Sequence, residues 1–260
     1  MINDKHKVHL ENMFKKEKIK IIILAAGKGK RMQSDLPKVL SPLKGTHMIG
    51  HLLETIGKVT KEKPIAIIGH QAELVKKELG DSCFYVLQKK QLGTGHAVIC
   101  AQNACKKAKH LLVLSGDQPF ISEKTLKNLI KKHLHSKAKI TFAATKVPNF
   151  EDWRKGFKTF GRILRKNKKI IGIKEYKDAN EKEKNIKEIN TGCYVFDAKW
   201  LWKNLGKIKN KNIQKEYYLT DLLCLASNKN GKVETVKIRP REALGANTKE
   251  ELELLEKLVV

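Results

Sequence analysis

KIIILAAGKGKRMQSDLPK, residues Lys20 to Lys38, begins as an unbroken apolar run and ends as a glycine-rich, cationic turn. The apolar part suits a strand buried on both faces of a parallel sheet, since a strand with one wet face would alternate. Gly27 and Gly29, directly after it, let the backbone turn tightly and aim N–H groups at an anion. Arg31 and Lys38 flank that loop with the charge a triphosphate requires. Two familiar phosphate loops are excluded. The dinucleotide fingerprint needs a third glycine where Met32 stands, and G-x-x-x-x-G-K-[ST] does not occur.

Outward from this stretch, strand-length apolar runs recur at 64–69, 84–88, 111–116 and 140–147, separated by helical patterns at 48–59, 72–79, 94–107 and 123–135. That βαβα order predicts a doubly wound α/β sheet. Beyond Pro148 the pattern becomes more antiparallel: GRILRKNKKIIGI reads as two strands about an Asn167-Lys168 turn, and INTGCYVF as a third. A helix is expected over 215–227, then a strand VETVKI and a closing helix over 249–258. The polar stretch DANEKEKNIK, 178–187, reads as a mobile loop between lobes. The expected organisation is an N-terminal extension (1–18) without evident role, then one domain over 19–260. Within it, a nucleotide-binding part covers about 19–147, a smaller sugar-binding lobe about 148–227, and a closing strand and helix 228–260.

Composition narrows the function classes. The formal net charge is +27, from 54 Lys and Arg against 27 Asp and Glu. Only Arg31, Arg154, Arg162, Arg165, Arg239 and Arg241 are arginines, and the lysines are spread along the whole chain. Nucleic-acid recognition leans on the bidentate guanidinium, so neither nucleic acid nor membrane is an expected partner, although a positive field would concentrate a polyanionic small substrate. No apolar run approaches the ~20 residues of a membrane span, and the charged N-terminus lacks a signal-peptide core, so the expected location is cytoplasmic. The five cysteines show no C-x-x-C pair and read as reduced, mostly buried thiols.

Several polar residues stand where strands end. Asp117 follows LLVLSG and should lie at the C-terminal edge of the sheet, where open α/β proteins bind ligands. A carboxylate there suits magnesium, or simply a turn before Pro119. Gln88 and Gln91 offer the paired donors and acceptors that a pyrimidine edge needs, and Gly93 permits close approach to a base at the helix start Thr94. Glu175 and Asn190 suit sugar hydroxyls and an acetamido group; a salt bridge and a turn are the plainer alternatives.

The run LAAGKGKRM followed by Pro37-Lys38 resembles the signature of the sugar-nucleotide pyrophosphorylase family. The likeness continues in order through QKKQLGTGHAV (88–98), SGDQPFI (115–121), FGRIL (160–164), IKEYKDA (173–179), EINTGCYVF (188–196), EYYLTDLL (216–223) and LGANTKEEL (244–252). It is closer still to the bacterial N-acetylglucosamine-1-phosphate uridylyltransferases, the pyrophosphorylase half of bifunctional uridylyltransferase/acetyltransferases. The resemblance implies a Rossmann-like nucleotide-diphospho-sugar transferase fold with a mixed sheet. It also implies uridylyl transfer from UTP to N-acetylglucosamine 1-phosphate, for cell-envelope precursor synthesis. Nucleotide-binding positions would be Leu24, Ala25, Ala26, Gly27, Gly29, Lys38, Gln88, Gln91, Gly93, Thr94 and Asp117, and sugar-binding positions Gly161, Glu175, Asn190 and Thr191. Asp117 and Asn247 would hold Mg2+, while Arg31, Lys38 and Asp117 carry the chemistry. Two departures, Lys30 for Thr and Phe160 for Tyr, remove none of these ligands. The hexapeptide β-helix of the bifunctional relatives does not follow Val260, so the expectation is a stand-alone uridylyltransferase with the oligomeric state open. UDP-glucose, dTDP-glucose and GDP-mannose types of the same chemistry, and an inactive basic binding protein, are the alternatives.

Overall fold

The computed structural model describes residues 11–29, 32, 35–228 and 231–258 of the 260-residue chain. Its strands are β1 (Ile19–Ala25), β2 (Pro42–Leu43), β3 (Thr46–His47), β4 (Ile65–Ile68), β5 (Phe84–Leu87), β6 (His110–Ser115), β7 (Ile140–Lys146), β8 (Arg162–Lys166), β9 (Lys169–Lys174), β10 (Glu188–Asp197) and β11 (Val233–Lys237). The helices are α1 (Met48–Val59), α2 (Ala72–Leu79), α3 (Thr94–Cys100), α4 (Glu123–Ser136), α5 (Glu181–Lys184), α6 (Ala198–Leu205), α7 (Asp221–Asn228) and α8 (Lys249–Leu258).

A nine-stranded sheet runs β11-β7-β10-β6-β1-β4-β5, with the β8–β9 hairpin attached to β10. β1 pairs in parallel with β4 on one side and β6 on the other, so the strand order reverses at β1. β10 is antiparallel to both neighbours, β6 and β7, which makes the sheet mixed.

Alternate residues of the central strands enter opposite cores. Ile21, Ile23 and Ala25 of β1 join Leu112 and Leu114 of β6 against α1, α4 and α8. Ile22 of β1 joins Ile65, Ile67, Leu111 and Val113 against α3, α6 and α7. Each fully buried Ile or Leu contributes roughly 1.5–3 kcal/mol of transfer free energy, so a run apolar on both faces is held at the centre of the sheet rather than at an edge.

The structure redraws several expected boundaries. The N-terminal extension is engaged at its end: residues 11–16 are helical, and Phe14, 1% exposed, lies in the first core. The helix expected over 94–107 ends at Cys100. Cys105 N–H then bonds both Ala101 O (3.1 Å) and Gln102 O (3.2 Å), a mixed spacing that loosens the helix into turns. The helix expected from 215 begins at Asp221. Lys215 has φ +55°, and Tyr217 instead bonds across to the 92–95 segment. The stretch read as a loop at 178–187 contains α5, closed by a capping box between Asn180 and Glu183. The INTGCYVF strand, assigned to the smaller lobe, is β10 and runs through the main sheet. Of the cysteines, Cys83, Cys105 and Cys193 are buried and Cys224 is exposed. Among the described residues no helix is long and apolar enough to cross a membrane.

Candidate functional site

Two cavities meet at the C-terminal ends of β1 and β6, next to the reversal of strand order, and share Ser115 and Asp117. This is where a doubly wound sheet leaves a crevice free of crossing helices.

The first cavity, about 270 Å³, is lined by Leu24, Ala25, Ala26 and Gly27 from the strand end, by Lys38, and by Gln88, Gln91, Gly93 and Thr94. Gly29 takes φ +58°, and a Cβ there would stand 2.9 Å from the Lys38 Cβ, so a glycine is what lets the loop lie against Lys38. Lys38 is fixed from the other side by the helical turn Lys38–Leu40, whose Val39 and Leu40 are buried. Gln88 donates from Nε2 to Gly93 O (3.2 Å), and Gln91 donates to Gln88 O (3.1 Å). Gly93 has φ +106°, and a Cβ there would meet Tyr217 O at 2.7 Å. The 217–219 segment is pinned here by Gly95 N–H on Tyr217 O (2.7 Å) and by Leu219 N–H on the Thr94 hydroxyl (3.0 Å). Arg31, expected beside this loop, lies outside the described residues.

The second cavity, about 460 Å³, is lined by Gly161, Glu175, Asn190, Thr191 and Asn247, and also by Tyr176 and Gln214. A β-bulge in β10 between Asn190 and Tyr194 turns this stretch toward the cavity, with Gly192 at φ +77°. Asn190 donates to the Tyr194 hydroxyl (2.6 Å) and accepts from Gly192 N–H (3.2 Å). The Thr191 hydroxyl is committed elsewhere, donating to Ala143 O (2.8 Å), so Thr191 offers the cavity its backbone. Burial pushes the Glu175 carboxyl above its usual range, opposed by the Thr220 hydroxyl that donates to it (2.7 Å). Gly161 is close enough to Glu175 that a Cβ would stand 3.4 Å from both carboxylate oxygens.

Lys38 Nζ lies between the cavities, donating to Asp117 Oδ2 and to Asn247 Oδ1 (2.6 Å). Asn247 is carried there by a close backbone approach: a Cβ on Gly245 would stand 2.5 Å from Asp117 O. The Asn247 side chain stays free for this role because the helix cap is its neighbour, Thr248, which accepts from Glu251 N–H (3.2 Å). Two hard oxygens thus converge on one cationic point, a donor set that fits a magnesium ion completed by phosphates and water. Among the described residues, no group of three or more His, Cys, Asp or Glu could hold a metal on protein ligands alone.

The structure therefore places every described candidate at the walls of the two cavities, apart from Gly29, which supports Lys38. Sequence reading missed Ser115, on the wall common to both, and Glu216, on the first. Ser115 is a strand terminus aimed at the same edge as Asp117, a positional signal that was available. Glu216 arrives through the non-helical 216–219 segment, which periodicity misassigns.

Comparison with known proteins agrees with this geometry. The chain is 42% identical over 241 residues to the bifunctional protein GlmU of Streptococcus agalactiae serotype V, covering 92% of this chain and 51% of that protein. It is 43% identical over 229 residues to GlmU of Streptococcus pyogenes serotype M18, covering 87% and 48%. The chain spans about half the length of these relatives. Among solved structures, a Bacillus anthracis protein provisionally named a glucose-1-phosphate thymidylyltransferase superposes with a TM-score of 0.70, at 21% identity, over 92% of this chain and 94% of its own, and shares the fold. The MobA-like NTP transferase domain matches residues 21–152, half of the chain and the part that carries β1, the glycine loop, Lys38, Gln88 and Asp117. On that match, the chain belongs to the MobA-like NTP transferase family.

Proposed function

We propose that the protein transfers a uridylyl group from UTP to N-acetylglucosamine 1-phosphate, releasing pyrophosphate and forming UDP-N-acetylglucosamine for cell-envelope precursors in the cytoplasm. The observation that carries this reading is the Lys38 ammonium held by Asp117 and Asn247 at the junction of two cavities. The one on the glycine-loop side suits a nucleotide; the one beside Glu175 and Asn190 suits a polar sugar. The motif resemblance to N-acetylglucosamine-1-phosphate uridylyltransferases supports the choice of substrates.

The nucleophile, a phosphate oxygen of the sugar phosphate, is already anionic, so the protein need not generate one. Catalysis reduces to alignment and charge neutralisation. Gln88 and Gly93 orient the base, the backbone after β1 faces the phosphates, and Lys38 offsets charge where the α-phosphorus is attacked. Glu175 and Asn190 hold the sugar hydroxyls and acetamido group so that the phosphate approaches in line. A magnesium ion, held by Asp117 and Asn247, would polarise the phosphate oxygens.

The test is pyrophosphate release from UTP and N-acetylglucosamine 1-phosphate, beside glucose 1-phosphate and dTTP controls and an Asp117→Ala variant. Turnover should require the acetamido sugar and fall by at least ~100-fold in the variant. Turnover confined to another sugar or nucleotide would move the substrate assignment. No turnover with any pair, together with salt-sensitive nucleic-acid binding, would replace the enzyme with a basic binding protein.

A further inference from the structure

Gln118, 6% exposed, sits directly after Asp117 beneath the wall that separates the two cavities. Its Nε2 donates to Thr191 O (2.5 Å) and to Ala243 O (3.4 Å), while its Oε1 accepts from Cys193 Sγ (3.4 Å). Burial pushes the Cys193 thiol up to about 12, which keeps it a donor to that oxygen. One amide therefore ties together the end of β6, the β10 bulge and the turn that leads to Asn247.

We propose that Gln118 is a positioning residue that couples the Asp117–Asn247 pair to the sugar-side wall at Asn190–Gly192. Both attachments lead into places with no slack. Beyond Ala243, the Gly245 backbone presses against Asp117 O so closely that a Cβ would stand 2.5 Å away. Beside Thr191, a Cβ on Gly192 would stand 2.9 Å from Ser115 Oγ, the residue common to both cavities. A shift of either carbonyl is thus carried to a wall of the site rather than absorbed. The nucleotide-base wall at Gln88 and Gly93 has separate supports, from Tyr217 and Thr94, and is not reached by this amide. The catalytic consequence of the coupling rests on the uridylyl-transfer reading above; the coupling itself does not.

The experiment compares the full chain with Gln118→Met, which keeps volume and removes the hydrogen bonds, and Gln118→Glu, which keeps shape and turns the donor into a carboxylate. Hydrogen exchange followed by mass spectrometry should show residues 189–193 and 242–248 exchanging about tenfold faster in Gln118→Met, with 88–97 unchanged. The KM for the sugar phosphate should rise about tenfold and kcat fall, while UMP affinity by calorimetry stays within about twofold. In Gln118→Glu, turnover relative to wild type should recover as pH falls, because a protonated carboxyl regains one donor for Thr191 O. A ratio that is flat with pH, faster exchange in one segment alone, or wild-type behaviour of Gln118→Met overturns the proposal. A wild-type chain that turns over no substrate sinks the uridylyl-transfer reading and leaves exchange to decide the coupling.

Discussion

Arg162 is fully buried, and its guanidinium is spent on backbone carbonyls: Lys184 O (3.1 Å), Lys158 O (3.0 Å), Phe157 O (3.4 Å) and Phe160 O, with the rings of Phe150 and Tyr176 at 4.5 and 5.2 Å. Burial pulls its pKa below the usual arginine value, yet five N–H donors in a planar fork offset the desolvation. The effect is to hold the loop that delivers Gly161 to the sugar-side cavity. Lysine has three donors and no fork, so Arg162→Lys should cost at least ~2 kcal/mol in urea denaturation through stranded carbonyls. A loss below ~0.5 kcal/mol would mean that water replaces the fork without penalty. The sequence showed Arg162 inside FGRIL but not its use. Carbonyl partners carry no side-chain signature, whereas Gly29, Lys38 and Asp117 declare themselves by residue type and position.

At the scale of elements, α8 matters more for its first turn than for its apolar face. Thr248 accepts from Glu251 N–H, and Glu251 Oε2 in turn accepts from Asn247 N–H at 2.6 Å, so the helix cap and the site residue share one hydrogen-bonded turn. Thr248→Ala should cost about 1 kcal/mol of stability, and should raise the magnesium concentration needed for half-maximal turnover, because Asn247 loses its anchor. Unchanged magnesium dependence alongside the expected loss of stability would separate the cap from the site. Elements governed by local pattern matched expectation: α1 and α2 over their full lengths, and β4 within its apolar run. Segments whose backbone partners are distant did not. Residues 216–219 were read as helix, but their bonds go to Leu92, Thr94 and Gly95, over a hundred residues away in sequence.

Across the whole molecule, the charge of +27 lies on a sheet whose interior still contains titratable groups. His133 from α4 stacks edge-on to His110 of β6 at 5.1 Å, with Thr141, Asp197 and Lys139 as the neighbouring polar and charged groups. Burial pushes His133 down to about 3 from 6.5, with the His110 ring acting in the same direction, and lowers His110 as well. A histidine whose folded pKa lies below its unfolded value is stabilising while neutral. Its contribution is complete above about 6.5 and lost as pH falls from there toward 3. The urea midpoint should therefore drop between pH 7 and pH 5, and His133→Asn should flatten that dependence. An equally steep drop in the variant would place the acid sensitivity elsewhere.

By itself the sequence determined the central strands, the glycine loop with its cation, and the order of the motifs, because these follow from apolar runs, backbone freedom and residue chemistry that are local along the chain. Tertiary structure alone decided that Phe14 belongs to the core, that β10 threads the sheet between β6 and β7, and that Gln118 joins three segments of the site. It also decided that Lys38 is held jointly by Asp117 and by Asn247. Each of those facts is a contact between residues remote in sequence, set by how the whole sheet packs and not by any local preference.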